Sequence, residues 1–269
     1  MIVIRSCEGH DELETCVQLQ VETWGYDQTD VIPRKAFLVM QKVGGQVLAA
    51  FDTDIPGSPP NGSPESMVAF AMSLPGVKPP SKDSNGEARP YLHSHMLAVR
   101  ERYRNRGIGA QLKLAQRNDA LARGVRLMEW TFDPLEIKNA FLNIHKLGAI
   151  VYHYRENFYG VSSSRLQGGL PTDRLLAEWR LDSPRVNHIL EGRPAAAQVI
   201  EERIQVPASI YRWKASEGDR ERALAVQLEN RHKFQQAFSL GLAVLGFSRD
   251  AEGNGTFELG PLTQLESGI

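Results

Sequence analysis

The sequence predicts a mixed α/β fold in which short strands alternate with amphipathic helices. Apolar residues recur with the period of a helix in some segments and of a strand in others, in the order β-α-α-β-β-β-α-β-α-β-β up to about residue 182. Glycines and prolines stand between these segments, where turns are expected. Of the 269 residues 42% are hydrophobic, so the chain can bury a sizeable core.

The first hundred residues are predicted to hold four strands and two helices. In order, they are a strand at 2–5, helices at 11–24 and 33–42, and strands at 46–53, 67–74 and 91–99. The two intervening stretches, 54–66 and 75–90, contain eight of the fifteen prolines, which predicts long loops. Loops of this length inside a compact domain are often functional.

Helices and strands alternate more regularly after residue 100. Gly124 and Gly148 each follow a helical pattern, as glycines that end helices do. The predicted elements are a helix at 106–123, a strand at 125–132, a helix at 136–147, strands at 149–159, 175–181 and 199–206, a helix at 217–238, and a hairpin formed by 242–247 and 256–259.

The order of elements predicts one domain over residues 1–182 and an α/β extension over 183–269 that packs on the same core. A faint internal similarity links the two parts, because Lys146–Val151 (KLGAIV) matches Ser239–Val244 (SLGLAV) where a helix meets a strand. Two interpretations stay open: a common helix–glycine–strand junction, or a degenerate half-repeat.

Charge and cysteine content narrow the class of protein. Lys and Arg total 31 and Asp and Glu total 32, which argues against a protein that coats nucleic acid or an anionic membrane. Cys7 and Cys16 are too few for a disulfide framework and are expected to be reduced thiols. The N-terminus lacks the pattern of a signal peptide, and the longest uncharged run, 234–248, is too short to span a bilayer. We therefore expect a cytoplasmic protein.

The segment Leu97–Ala110 contains the most informative motif: a strand, a tight basic turn and the start of a helix. A helix N-terminus leaves backbone N–H groups unpaired and carries a partial positive charge. Gly107 and Gly109 let a ligand approach that backbone without a Cβ in the way. This arrangement suits a pyrophosphate, and nearby arginines add positive charge.

The motif resembles the signature of the GCN5-related N-acetyltransferase (GNAT) superfamily, Arg/Gln-x-x-Gly-x-Gly/Ala between the fourth strand and the following helix. All its fixed positions are matched, and the element order of residues 1–182 agrees with that fold. The matching residues are Arg104, Asn105, Arg106, Gly107, Ile108 and Gly109, preceded by Leu97, Ala98 and Val99 and by Tyr103.

The resemblance implies a mostly antiparallel central sheet flanked by helices, and acetyl-CoA or another acyl-CoA as co-substrate without a metal. Backbone amides from Arg104 to Ala110 would hold the pyrophosphate. The strand at 91–99 would part from that at 125–132 in a V-shaped cleft, where the backbone of Leu97, Ala98 and Val99 would pair with pantetheine. One of these N–H groups would polarise the thioester carbonyl while a substrate amine attacks it.

The sequence departs from the family after the fifth strand. The tyrosine that commonly protonates the leaving thiolate is replaced by Ile144. Tyr152, Tyr154 and Tyr159 are replacement candidates, although aromatic residues of a strand are often core. Asn139 and Asn143 lie four residues apart, which predicts a shared helix face. They could bind the pantetheine arm, or be solvated or capping residues.

His93 and Glu129 are the candidate catalytic residues. We call the segment 104–110, which contains Gly107 and Gly109, the glycine loop. Counted back from this loop, His93 falls where the histone-acetyltransferase branch has its catalytic glutamate. An ordinary histidine pKa of about 6.5 suits deprotonation of an ammonium near neutral pH. His95 shares its strand face, but a metal site would need further ligands, and none has suitable spacing. Glu129 could face the cleft or solvent.

Two functions stay open on the sequence. The first is acyl-CoA-dependent N-acylation of a small-molecule amine, and the alternative is a non-catalytic GNAT module that binds acyl-CoA as a sensor. A protein acceptor is a third, weaker option. The acceptor, the acyl group, the general acid and the role of the extension are not determined by the sequence, and a homodimer is left open.

Overall fold

The computed structural model describes residues 1–80, 86–193 and 198–265. The chain divides into two compact units, residues 1–129 and residues 130–269. The elements of the first unit are β1 (Ile2–Ser6), α1 (Gly9–Trp24), α2 (Arg34–Lys42), β2 (Gln46–Asp52), β3 (Met67–Lys78), β4 (Arg89–Val99), α3 (Ile108–Ala122) and the start of β5 (Leu127–Phe132).

The sheet of the first unit has the order β1-β2-β3-β4-β5. The first four strands pair antiparallel, and β4 pairs with β5 in parallel. Alternate side chains divide the core between the two faces. Phe37, Phe51 and Phe70 pack with α1 and α2 on one face, and Leu48 and Leu112 pack with α3 on the other. The predicted mixed, mostly antiparallel sheet flanked by helices is confirmed.

The β3–β4 hairpin is longer than predicted, which shortens the expected loop at 75–90. Pro75 lies inside β3, opposite Leu92. This proline is tolerated because the pairing of β3 with β2 ends at Ser73, so its nitrogen has no ladder partner to satisfy on that side. Residues 81–85, in the middle of the predicted loop, lie outside the described residues.

In its described residues, the second unit contains the end of β5 and the following longer elements. They are α4 (Ile137–Ala140), a π-helical segment (Phe141–Lys146), β6 (Ile150–Arg155), β7 (Arg174–Arg180), α5 (Pro184–Leu190), β8 (Glu202–Val206), α6 (Ile210–Ala215), α7 (Arg220–Ser239), β9 (Leu242–Arg249) and β10 (Gly255–Pro261). The predicted long helix and final hairpin are confirmed. The strand predicted to reach Tyr159 ends earlier, at Arg155, because Asn157 turns the chain with a φ of 39°.

Two segments of the chain, which begin at β5 and at β8, share one order of elements. Strand, helix, strand, strand describes β5-α4-β6-β7, and strand, helices, strand, strand describes β8-α6-α7-β9-β10. Their strands lie in the order β5-β7-β6-β9-β10-β8, so the middle strands, β6 and β9, meet at the centre. These two strands pair antiparallel at Val151 and Val244, the residues that end the two similar sequences KLGAIV and SLGLAV.

α7 packs on the sheet of the second unit through aromatic side chains, and it forms an ion pair with the buried Asp173, the residue before β7. Phe234 stacks on Tyr154, with ring centres 5.8 Å apart, and meets Phe257 edge-on at 5.1 Å. Arg231 binds the carboxylate of Asp173 through Nε at 2.9 Å and Nη2 at 3.0 Å.

Within the described residues, no helix is long and apolar enough to cross a membrane. Cys7 and Cys16 are free and buried.

Candidate functional site

The loop between β4 and α3 turns through two residues with left-handed backbone, Asn105 (φ 61°) and Gly107 (φ 80°). Glycine adopts this conformation without a steric penalty, and asparagine is among the few other residues that adopt it readily. A 3-10 turn at Glu101–Tyr103 leads into the loop, and Gly107 directly precedes α3. The predicted strand, tight turn and helix are confirmed.

The first turn of α3 presents backbone N–H groups that the helix does not use. The first intrahelical bond runs from Gln111 N to Gly107 O, at 3.0 Å. The amides of Ile108, Gly109 and Ala110 therefore lie at the positive end of the helix dipole, where an anion is stabilised. Among the described residues other than its two neighbours in the chain, only Gln111, through Nε2 at 3.9 Å, would lie within 4 Å of a Cβ at position 107, so the space beside this turn is open.

Tyr103 fixes the loop to the sheet. Its side chain is buried, and its hydroxyl donates a hydrogen bond to Asp52 Oδ2, at 2.7 Å. That bond lowers the pKa of Asp52. The guanidinium groups of Arg102 and Arg106 lie 5.1 and 5.3 Å from the centre of the Tyr103 ring. Because both arginines are exposed, the loop carries positive charge around a fixed aromatic anchor.

The pairing of β4 with β5 is short. The two strands pair at Leu92 with Met128 and at His93 with Glu129, whereas β4 follows β3 as far as Val99. Pairing along the whole length would have contradicted the predicted separation of these strands. In the described part of the chain, their pairing stops at His93.

The predicted pantetheine-binding residues form the end of β4. Ala98 is fully buried, and Leu97 and Val99 are half-buried against the apolar cluster around α3. Arg104 Nε donates to the carbonyl of Val99, at 3.2 Å. The end of β4 and the glycine loop are therefore joined by a hydrogen bond as well as by the chain.

His93 and Glu129 occupy adjacent positions on paired strands. Glu129 is 4% exposed, and its Oε1 lies 2.5 Å from Lys78 Nζ. The rings of His93 and His95 are 6.0 Å apart between centres, and Lys78 Nζ lies 5.0 Å from the centre of the Tyr91 ring. The structure thus brings both candidate catalytic residues into one cluster of titratable side chains.

The environment of His93 alters its acid–base behaviour. Burial, reinforced by the positive charges of His95, Lys113 and Lys78, lowers the pKa of His93 to about 4. Burial also lowers the pKa of His95. The expectation of an ordinary pKa near 6.5 for His93 is therefore wrong. The imidazole is neutral at pH 7 and can accept a proton, but it is a weaker base than an exposed histidine.

Asn139 and Asn143 differ in their surroundings. Asn139 is exposed, whereas Asn143 is 4% exposed. Asn143 lies in the π-helical segment, which ends with a hydrogen bond from Leu147 N to Leu142 O, five residues back, at 3.0 Å. Short π-helical stretches are rare and often lie at functional sites. Ile144, at the position of the missing tyrosine, is buried.

The three candidate tyrosines are all hydrogen-bonded. Tyr154 is buried and donates to Asp173 Oδ2 at 2.5 Å, so its pKa is raised and its proton is held. Tyr152 donates to Glu178 through a short hydrogen bond. Tyr159 has an exposed side chain, and its hydroxyl lies 2.8 Å from Thr131 Oγ1. Tyr159 is the most accessible general-acid candidate of the three.

The sequence did not predict the parts played by Lys78 and Asp52. Lys78 belongs to the titratable cluster around His93 and Glu129, and Asp52 binds Tyr103, which anchors the loop before α3. Lys78 falls in a stretch that its prolines assign to a loop, and only pairing with β4 makes this stretch a strand. Asp52 ends β2 with no motif of its own, so its link to Tyr103 depends on tertiary structure. Within the described residues, no group of three or more His, Cys, Asp and Glu could hold a metal ion.

Comparison with known proteins finds similarity at the level of structure. No protein-family model matches the sequence, and no curated protein matches it. The structure of Arabidopsis thaliana NAA60 in complex with acetyl-CoA is similar with a TM-score of 0.52 and 19% identity, covering 66% of this chain and 98% of that chain. This similarity concerns the fold.

Two further solved structures match over a similar share of the chain. One is an acetyltransferase of the GNAT family from Streptococcus pneumoniae, with 18% identity and a TM-score of 0.48 over 66% of this chain and 98% of that chain. The other is the ribosomal-protein-S18-alanine N-acetyltransferase from Escherichia coli, with 17% identity and a TM-score of 0.47 over 67% of this chain and 94% of that chain.

Proposed function

We propose that this chain, whose fold is that of the GNAT acetyltransferases, is an acyl-CoA-dependent N-acyltransferase that acts on a small-molecule amine. The observation that carries the proposal is the turn through Asn105 and Gly107. After this turn, the first backbone N–H groups of α3 are accessible beside the end of β4. Backbone amides at a helix N-terminus, with exposed arginines around them, suit the pyrophosphate of a CoA ester.

The co-substrate would lie along backbone rather than in a side-chain cage. Amides from Arg104 to Ala110 would hold the pyrophosphate, and the end of β4, Leu97–Val99, would pair with the pantetheine arm. Asn139, which is exposed, stays a candidate from the sequence for a side chain that binds pantetheine. Asn143 is buried, so its part would be to support the π-helical segment.

The reaction would be a direct transfer. The lone pair of the amine attacks the thioester carbonyl, a C–N bond forms, the C–S bond breaks, and CoA leaves as a thiolate that takes up a proton. A strand N–H would stabilise the developing oxyanion. His93, neutral at pH 7, would accept the proton that the amine loses. Glu129, held by Lys78, would stabilise the imidazolium formed beside it.

Release of CoA tests this function. The protein is incubated with acetyl-CoA, succinyl-CoA and a panel of small amines, amino acids and peptides with free N-termini, and free thiol is measured. We expect CoA release that depends on one class of amine. If the protein binds acyl-CoA but none of the acceptors causes release of CoA, the result would contradict catalysis and favour the alternative of a non-catalytic sensor.

The glycine loop is tested separately by Gly109→Val. A side chain at this position would block the approach of the pyrophosphate to the α3 amides, so CoA affinity should fall by about tenfold or more, with little loss of fold. Gly218→Val is the matched control, because Gly218 lies in the turn before α7 with open space around it. Calorimetry that shows unchanged CoA affinity for Gly109→Val would overturn the phosphate site.

A further inference from the structure

A group of polar side chains is buried between the sheet of the first unit and α3. All are at most 4% exposed, a position at which polar groups cost stability unless they are hydrogen-bonded. They come from three strands and one helix. The residues are Gln46 on β2, Ser73 on β3, Ser94 on β4, and Lys113 and Gln116 on α3.

These side chains form one chain of hydrogen bonds. Lys113 Nζ donates to Ser94 Oγ at 2.8 Å, and Ser94 Oγ donates to Gln116 Oε1 at 3.0 Å. Gln46 Nε2 donates to the carbonyl oxygen of Gln116 at 2.8 Å, and Ser73 Oγ donates to Gln46 Oε1 at 2.9 Å. The bonds tie α3 to three neighbouring strands at one level of the sheet.

At the level of the sheet where these hydrogen bonds form, β4 contains a β-bulge. Met72 lies opposite Met96 and Ser73 opposite Ser94, so His95 is an extra residue in β4. A bulge bends a strand and re-aims the residues that follow it. Ser73 and Ser94 are opposite each other at its edge, and both belong to the buried chain of hydrogen bonds. The polar group therefore holds both strands where the register changes.

This group is not arranged for stability alone. Gln116 Nε2 is buried and has no hydrogen-bond partner in the described part of the chain, which costs stability. Burial also lowers the pKa of Lys113 to about 7, the mark of an ammonium that is poorly solvated. Replacing buried charged groups by apolar side chains of similar volume is often neutral or stabilising.

We propose that Lys113, Ser94 and Gln116 are positioning residues, which hold the β4 bulge and thereby the strand end Leu97–Val99 in the conformation that binds the acyl-CoA thioester. The inference rests on the proposed function, because it assigns that strand end to the co-substrate. Lys113 donates to Ser94, which precedes the strand end on β4, so the proposed effect of Lys113 on the co-substrate runs through β4.

The test is Lys113→Met, which keeps the length and shape of the side chain but removes its charge and its hydrogen-bond donor. A positioning role predicts a KM for acyl-CoA about tenfold higher, an unchanged KM for the amine, and a thermal unfolding midpoint equal to or above that of the wild type. It also predicts faster amide exchange over His95–Leu97. Lys42→Met, an exposed lysine of α2, is the matched control and should change none of these.

The outcomes separate this inference from the proposed function. Unchanged KM values and unchanged exchange over His95–Leu97, in a wild type that binds acyl-CoA and turns it over, would overturn the positioning role alone. A wild type without acyl-CoA binding or turnover would overturn the proposed function, and the amide exchange would still decide whether Lys113 holds the bulge. If Lys113→Met loses stability, Lys113→Gln, which retains a donor, should restore the wild-type KM for acyl-CoA; failure to do so would overturn the inference.

Discussion

At the scale of single residues, burial decides what the candidate catalytic groups can do. His93 lies beside Glu129 on paired strands, and its pKa is lowered to about 4 chiefly because water is excluded from it. A general base works best when its pKa is near the working pH. In the proposed reaction His93 would therefore need a carboxylate beside it to stabilise the imidazolium, a role that we assign to Glu129, the ion-pair partner of Lys78.

His93→Ala is expected to lower turnover by about 10²–10⁴-fold at pH 7, the usual range for loss of a general base, with CoA affinity nearly unchanged. The loss should shrink as the pH approaches the pKa of the amine, because free base then forms without help. Steady-state kinetics of CoA release measure both effects. Full activity of His93→Ala at pH 7 with saturating amine would make this histidine structural.

The lowered pKa of His93 also predicts a pH dependence of stability. Between pH 6.5 and about 4 the unfolded chain binds a proton on His93 that the folded chain does not. The free energy of unfolding therefore falls as the pH drops through this window, by up to about 1.4 kcal/mol per pH unit from this group. Urea titrations of wild type and His93→Ala should show a smaller acid loss in the variant. Parallel pH profiles would contradict the lowered pKa.

At the scale of elements, the glycine loop was predictable from sequence because its requirements are local. A left-handed turn, a helix start and exposed arginines leave their mark in neighbouring residues, here Asn105 and Gly107. The β4 bulge and the extension of β3 through Pro75 left no such mark. Both arise from pairing between strands. The burial of Lys113 depends on tertiary structure as well, because α3 packs on the sheet, whereas in the sequence Lys113 stands between two leucines and has the pattern of a solvated residue.

Tyr103→Phe tests how the loop is held. Loss of the hydroxyl removes the hydrogen bond to Asp52, worth about 1 kcal/mol, and loosens the loop before any ligand binds. CoA affinity should fall by about fivefold, since about 1.4 kcal/mol corresponds to tenfold. Calorimetry measures the affinity, and Tyr211→Phe in the second unit is the control. Unchanged affinity would mean that the loop keeps its form without Tyr103.

At the scale of the whole molecule, the ion pair of Arg231 and Asp173 joins the last third of the chain to the rest of the second unit. Asp173 is fully buried and also accepts from Tyr154 and from the backbone of Asn157. The order β5-β7-β6-β9-β10-β8 favours the half-repeat, which is one of the two interpretations that the sequence leaves open. The similarity between KLGAIV and SLGLAV was too short to distinguish a repeat from a common junction, whereas strand order involves all six strands.

Arg231→Met should lower the free energy of unfolding by about 3 kcal/mol, because it leaves the buried carboxylate of Asp173 without its cation. Urea unfolding measures the loss, and limited proteolysis should then cut more readily within residues 199–262. Lys233→Met, at an exposed position of the same helix, is the control. Adding Asp173→Asn should recover part of the loss. An unchanged unfolding curve for Arg231→Met would mean that this pair does not hold α7.

The meeting of β6 and β9 has a consequence for self-association. A chain that stopped after β7 would leave β6 as an open edge, and two such chains could join there around a two-fold axis, each strand extending the other's sheet. In this protein the position next to β6 is occupied by β9, which pairs with β6 at Val151 and Val244. A strand of the same polypeptide therefore occupies the position that a second subunit would take at this edge. Any homodimer of the protein must form through a different surface.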